Sequence, residues 1–69
     1  MKYVIYFDDS KGSGTLCRHE RIDVPKGTDP LSAARRFIAD NDGKNGYRNL
    51  KLTGLAKVWG ERFIDVPID

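Results

Sequence analysis

Cys17 is the only cysteine in this chain, so no internal disulfide is available to stabilise it. A lone thiol suits a reducing compartment, and a cytoplasmic location is expected on that ground. His19 is likewise the only histidine. A metal site would need two or more further ligands of the right type, and only scattered carboxylates are left, so neither a metal nor another cofactor is expected. No apolar run approaches the roughly twenty residues of a membrane-spanning helix. The opening MKYVIYFDD has a lysine and a short apolar stretch but runs directly into aspartates. A signal peptide would need a longer apolar region and a small-residue cleavage site, so this stretch reads as a strand. Neither sign of charge dominates. Twelve Lys and Arg against ten Asp and Glu give a formal charge of +2, which by itself indicates no partner. With charged residues at 32% of the chain, the composition speaks for solubility.

Sixty-nine residues make one domain, 1–69. A chain of this size buries only about 60% of its unfolded surface, and its stability is correspondingly modest. Internal repeats and low-complexity segments are absent.

The clearest element present is DPLSAARRFIADNDG, Asp29 to Gly43. Asp29 is suited to cap the first turn, and Pro30 to the first helical position, where a missing N–H costs nothing. Gly43 stands where a left-handed residue would end a helix. Leu31, Ala34, Phe37, Ile38 and Asn41 recur at spacings of three and four, and the apolar members form one stripe. At about twelve residues such a helix is marginal alone and needs a surface to pack on.

Strands flank it. Lys2 to Phe7 is dense in β-formers, with large side chains at both parities, as expected of a central strand or one covered on both faces. Asp8 to Gly14 reads as a turn-rich hairpin loop, in which Asp8 and Asp9 are solvated turn formers. Thr15 to Val24 is the second strand. A loop follows the helix from Asp42 to Asn49. From Leu50 to Trp59 the pattern alternates, and Phe63 to Ile68 closes the sheet. A three-residue loop, Gly60 to Arg62, would pair Trp59 with Phe63, Val58 with Ile64 and Ala56 with Val66. It keeps each face consistent, whereas a two-residue loop would set Lys57 against Ile64. Gly54 marks either a bulge or a close approach of the helix.

The expected fold is therefore α+β: a two-layer sandwich in the order β-β-α-β-β, with one helix on an antiparallel sheet of about four strands. Leu50, Leu52, Ala56, Val58, Ile64 and Val66 would lie beneath the helix, with Gly54 and Ala56 leaving room for it. The other face would carry Lys51, Thr53, Leu55, Lys57, Trp59, Phe63 and Asp65, together with His19 and Arg21.

That second face is the main functional signal. Trp59 and Phe63 beside Leu55 form an apolar patch that calls for a cover. Aromatics among cations on an open sheet serve single-stranded nucleic-acid binders, and the same residue types anchor protein interfaces. A purely structural alternative is a stacked pair covered by lysine stems. Arg35-Arg36 on the helix is a second basic feature, for which a solvated face with Arg36 paired to Asp40 is the plain account.

Signals for catalysis are weak. Cys17 and His19, two apart on a strand, point the same way, but no third group orients them and no helix N-terminus is placed to lower the thiol pKa. Lys11-Gly12-Ser13-Gly14-Thr15 lacks the spacing of a phosphate loop and precedes a strand. No catalytic residue is assigned, and the chain is read as a non-enzyme.

One resemblance adds to this. A helix opening Leu31-Ser32-Ala33-Ala34-Arg35-Arg36 and a closing hairpin Trp59-Gly60-Glu61-Arg62-Phe63-Ile64-Asp65, in a very small domain, resemble small phage-encoded proteins of the anti-CRISPR kind that inhibit type I surveillance complexes. The likeness is one of layout over most of the chain. It implies a stoichiometric inhibitor in the host cytoplasm that occludes a DNA-binding site. The positive net charge departs from the acidic DNA mimics among such proteins and implies a mixed-charge or aromatic contact surface instead.

The reading is thus a non-enzymatic phage or mobile-element protein that binds and inhibits a host protein or nucleoprotein machine. The expected contact residues are Arg21, Arg35, Arg36, Lys51, Lys57, Trp59 and Phe63. A small nucleic-acid-binding domain using the same face is the alternative. No membrane partner is expected, and either a monomer or a homodimer fits.

Overall fold

The computed structural model describes residues 1–11 and 14–68, and only the backbone of Lys11. Asp29 caps the helix as its chemistry predicts. The Ser32 backbone N–H donates to its Oδ2 at 3.3 Å, and the Ser32 hydroxyl donates to the same oxygen at 2.9 Å. The resulting helix, α1, spans Pro30–Asn41. The backbone N–H of Asp42 donates to the Ile38 carbonyl at 2.9 Å, and Gly43 follows at φ 77°, the left-handed conformation that ends the helix.

The strands are β1 (Lys2–Lys11), β2 (Gly14–Asp23), β3 (Lys51–Trp59) and β4 (Arg62–Asp65). They form one four-stranded sheet in the order β2-β1-β3-β4, and each neighbouring pair is antiparallel. The α+β class and the β-β-α-β-β order agree with the sequence. β1 is central, as its apolar residues at both parities require: Tyr3, Val4, Ile5 and Phe7 are all buried.

The first hairpin is longer than the composition of DDSKGSG implies. Asp8 and Asp9 are strand residues, paired with Cys17 and Leu16, not turn formers. Gly12 and Ser13 of the anticipated loop lie outside the described residues. Asp9 is fully buried. Its carboxylate contacts the Arg18 guanidinium at 2.9 Å and accepts the Arg48 backbone N–H at 2.9 Å, while the Ser10 N–H donates to the Arg48 carbonyl at 2.9 Å. Strand composition misses this because the partner that makes burial tolerable comes from a loop nearly forty residues away.

The core is built on the helix side of the sheet. Tyr3, Ile5 and Phe7 from β1, Val24, Ala34 and Leu55 form its buried centre. Leu31, Phe37 and Ile38 from α1 and Ile22, Leu52 and Val66 from the sheet side surround it. The Phe7 ring lies 5.9 Å from that of Phe37 and 5.6 Å from that of Tyr47, the latter edge-on, so one side chain joins β1, α1 and the loop after the helix.

Tyr47 also carries polar bonds. Its hydroxyl donates to Glu20 Oε1 at 3.1 Å, and the Arg18 guanidinium sits 5.3 Å from its ring centre. Desolvation first, and then the hydrogen bond to Glu20, push its phenol above the ordinary value of 10.0. The folded protein holds this proton more tightly than the unfolded chain does. The associated stability is complete below pH 10 and declines as pH rises through the elevated folded value. Urea midpoints of wild type and Tyr47→Phe should converge on this alkaline limb. A gap between them that is constant with pH would show that Tyr47 ionisation is not linked to folding.

A β-bulge sets the faces of β3. Tyr6 opposes Gly54, but Phe7 opposes Leu52, leaving Thr53 as an extra residue. Parity reverses there. Leu52 before the bulge and Leu55 after it both face the core, while Gly54 and Ala56 face away. Gly54 therefore does not make room for the helix: a Cβ there would lie 3.3 Å from Tyr6 Cδ2, and its absence lets the Tyr6 ring lean across the open face.

The closing hairpin corrects the expected register as well. Its loop is the two-residue Gly60-Glu61, with Gly60 at φ 60°, so Lys57 opposes Ile64, Val58 opposes Phe63 and Trp59 opposes Arg62. A glycine at the first position of a two-residue loop matches the twist of the paired strands. β4 ends at Asp65 rather than Ile68, and the Val66 N–H still donates to the Leu55 carbonyl at 2.9 Å.

Candidate functional site

Bulge and hairpin together divide the expected contact residues among three surfaces. Ala56 and Val58, expected beneath the helix, lie on the open face, whereas Leu55, expected on the open face, is 3% exposed in the core. Ile64 shares the helix side of the sheet but is exposed. Lys57 and Trp59 also turn to the helix side. Phe63 turns to the open face, so the anticipated Trp59–Phe63 pair does not form.

On the helix exterior, Arg35 donates to the Ile68 carbonyl at 3.2 Å, and Arg36 lies 3.8 Å from Asp40. The Arg36 pair is the solvated i,i+4 arrangement anticipated from spacing, worth about 0.3–0.5 kcal/mol.

The open face carries Arg21, Phe63 and Lys51, and it forms a shallow trough of about 200 Å³ lined by Val4, Tyr6, His19, Arg21 and Phe63. Register explains its shape. Across the sheet one row runs Arg21, Val4, Ala56, Asp65, two small apolar residues between opposite charges. Beside it stand His19, Tyr6 and Gly54, the first two with rings 6.3 Å apart. Val4, 3% exposed, forms the floor, with the buried Ala56 beside it in the row, while Tyr6 and Phe63 at 38% and 54% form walls. Tyr6 was not among the expected contact residues. Its face could have been deduced from alternation along β1 once Tyr3, Ile5 and Phe7 were assigned to the core.

The end of the β3–β4 hairpin is a separate surface. Trp59 is 63% exposed and Ile64 49%. The Lys57 ammonium sits 5.0 Å from the Trp59 ring centre, and Arg62 is directly across the hairpin from Trp59. An aromatic ring, an aliphatic side chain and two cations thus share one side of a two-residue turn. Sequence reasoning missed Arg62 and Ile64 here because it used the wrong loop length.

Cys17 and His19 both face the open side, as their spacing requires. Cys17 Sγ donates to Asp8 Oδ1 at 3.6 Å, and His19 packs beside Tyr6, so each has a different neighbour. At the N-terminal edge, Asp23 is held below the usual carboxylate range by a hydrogen bond from the terminal ammonium at 3.0 Å and by the nearby charge of Lys2. Among the described residues, no group of three or more His, Cys, Asp or Glu is placed to share a metal ion. Among the described residues, no helix is long and apolar enough to cross a membrane. The chain matches no protein-family model, no curated protein and no solved structure.

Proposed function

We propose that this chain is a non-enzymatic binding protein that occupies a surface of a host protein machine, with the end of the β3–β4 hairpin as its contact element. The class of machine suggested by the sequence layout is a CRISPR surveillance complex. The observation that carries the reading is Trp59. It is a large aromatic that contributes to no core, stands two-thirds exposed at a tight turn, and has Lys57 packed over its ring. Tryptophan with neighbouring cations is the typical composition of an interface anchor, and a short hairpin holds it with little entropy left to lose on binding.

Two features favour protein over nucleic acid as the partner. Trp59, the most exposed ring, is on the face opposite Tyr6, His19 and Phe63, so it cannot join them in one stacking platform. The open face also mixes Arg21 and Lys51 with Asp8 and Asp65, so a run of phosphates would meet carboxylates as well as cations.

The test is capture from a bacterial lysate with nuclease present, followed by affinity measurement on the complex recovered. The expected result is one defined complex that survives nuclease, and a Trp59→Ala variant that loses about 2 kcal/mol or more, roughly thirtyfold in Kd. Capture that disappears with nuclease and falls steeply with salt would establish the nucleic-acid alternative. Unchanged affinity in Trp59→Ala would remove the hairpin from the contact.

A further inference from the structure

The open face and the hairpin end are distinct surfaces, and the open face leaves the Tyr6 and Phe63 rings partly uncovered. Its trough has Val4 at the floor, ring walls and Arg21 at one side, and Asp65 stands at the far end of the Arg21 row. Arg21 on β2 and Asp65 on β4 lie in the same row, three strand spacings or about 14 Å apart. Neither side chain has an ion-pair or hydrogen-bond partner among the described residues.

A surface with opposite charges at its two ends and an apolar centre is complementary to itself. We infer that the open face is covered by a second copy of this chain, packed sheet on sheet about a two-fold axis parallel to the strands. That operation lays β2 of one copy over β4 of the other and β1 over β3. Arg21 of each copy then faces Asp65 of the other, so both charges at both ends are paired. The partly exposed Tyr6 and Phe63 rings, on the same face as the buried Val4 and Ala56, supply the apolar surface between the charges. Sheets stacked face to face pack about 10 Å apart, with strand directions within about 30°, which is within reach of an arginine side chain. An isologous contact requires each residue pair to occur twice, and the Arg21–Asp65 row meets that condition. Because the axis runs along the strands, both β3–β4 hairpins emerge at the same end of the dimer. A four-stranded face of this size is at the low end of stable interfaces, so the association is concentration-dependent.

Sedimentation equilibrium on the full chain, over a series from micromolar to millimolar, tests this directly. Wild type is expected to pass from monomer to dimer. Arg21→Asp sets two aspartates together at each end, and Asp65→Arg sets two arginines together. Each variant alone should associate at least tenfold more weakly. An equimolar mixture of the two restores opposite charges at both contacts and should regain wild-type association, as should the double variant. Both residues are on exposed edge strands, and circular dichroism checks that each variant folds. A wild type that stays monomeric throughout overturns the inference, and so does association insensitive to both charge reversals or a mixture no stronger than its components. Trp59→Ala should leave this equilibrium unchanged. Loss of the dimer with retention of the target, or the reverse, therefore separates this contact from the proposed function.

Discussion

Phe7→Ala is expected to unfold a large fraction of the protein at 25 °C. The side chain is 1% exposed and is among the largest fully buried groups. Truncating a buried phenylalanine costs about 3–5 kcal/mol, from lost transfer energy and the cavity left behind. The ring contacts with Phe37 and Tyr47 belong to that loss. A domain of this length has a total stability of only about 3–10 kcal/mol, so the substitution consumes much or all of it. Collapse around the cavity would be difficult, because Phe7 is held on three sides by a central strand, a helix and a loop. Phe63→Ala is the matched control. That ring is more than half exposed, and its loss should alter folding stability by no more than about 0.5 kcal/mol. Urea denaturation followed by far-ultraviolet circular dichroism measures both. Equal destabilisation by the two variants would contradict the placement of the core on the helix side.

The second large effect is at Asp9. Asp9→Ala removes the acceptor of the Arg48 N–H and the partner of Arg18 while both donors stay in place. Breaking a buried ion pair costs about 3–5 kcal/mol when the surviving charge is trapped. Arg18 is 38% exposed and can turn to water, which lowers the expected cost to about 2–3 kcal/mol. Asp9→Asn keeps an oxygen for the Arg48 N–H and should cost less than the alanine variant. The damage should also be local. Amide exchange at Ser10 and Arg48, which bond across this junction, should accelerate before that of the β1–β3 ladder. If Asp9→Ala matched wild type in both stability and exchange, the carboxylate would have no role in holding the loop to β1.

Local chemistry made much of the fold readable in advance. The helix limits follow from Asp29, Pro30 and Gly43, whose effects act within a turn of the residue itself. The existence and order of the four strands follow from runs of β-formers and from breakers between them. The composition also marked Trp59, Lys57 and Arg21 as residues of interest. What failed was long-range. Alternation along β3 looks unbroken in the sequence, because a bulge adds one residue without changing residue types, and only pairing with β1 reveals that Thr53 is the extra one. That single residue exchanges Leu55 with Ala56 between core and open face.

The hairpin shows the same division. Gly60-Glu61 carried a local signal for a two-residue loop, and hydrophobic consistency was allowed to outweigh it. A mixed Lys57–Ile64 pair is tolerated because Ile64 is half exposed and lies outside the core. Asp9 is the third case: aspartate favours turns by its own chemistry, and only a backbone N–H delivered from Arg48 makes it a buried strand residue. By itself the sequence determined which elements form, because capping, propensity and periodicity act between near neighbours. The tertiary structure decided which side each strand residue faces, because register is fixed by partners distant along the chain.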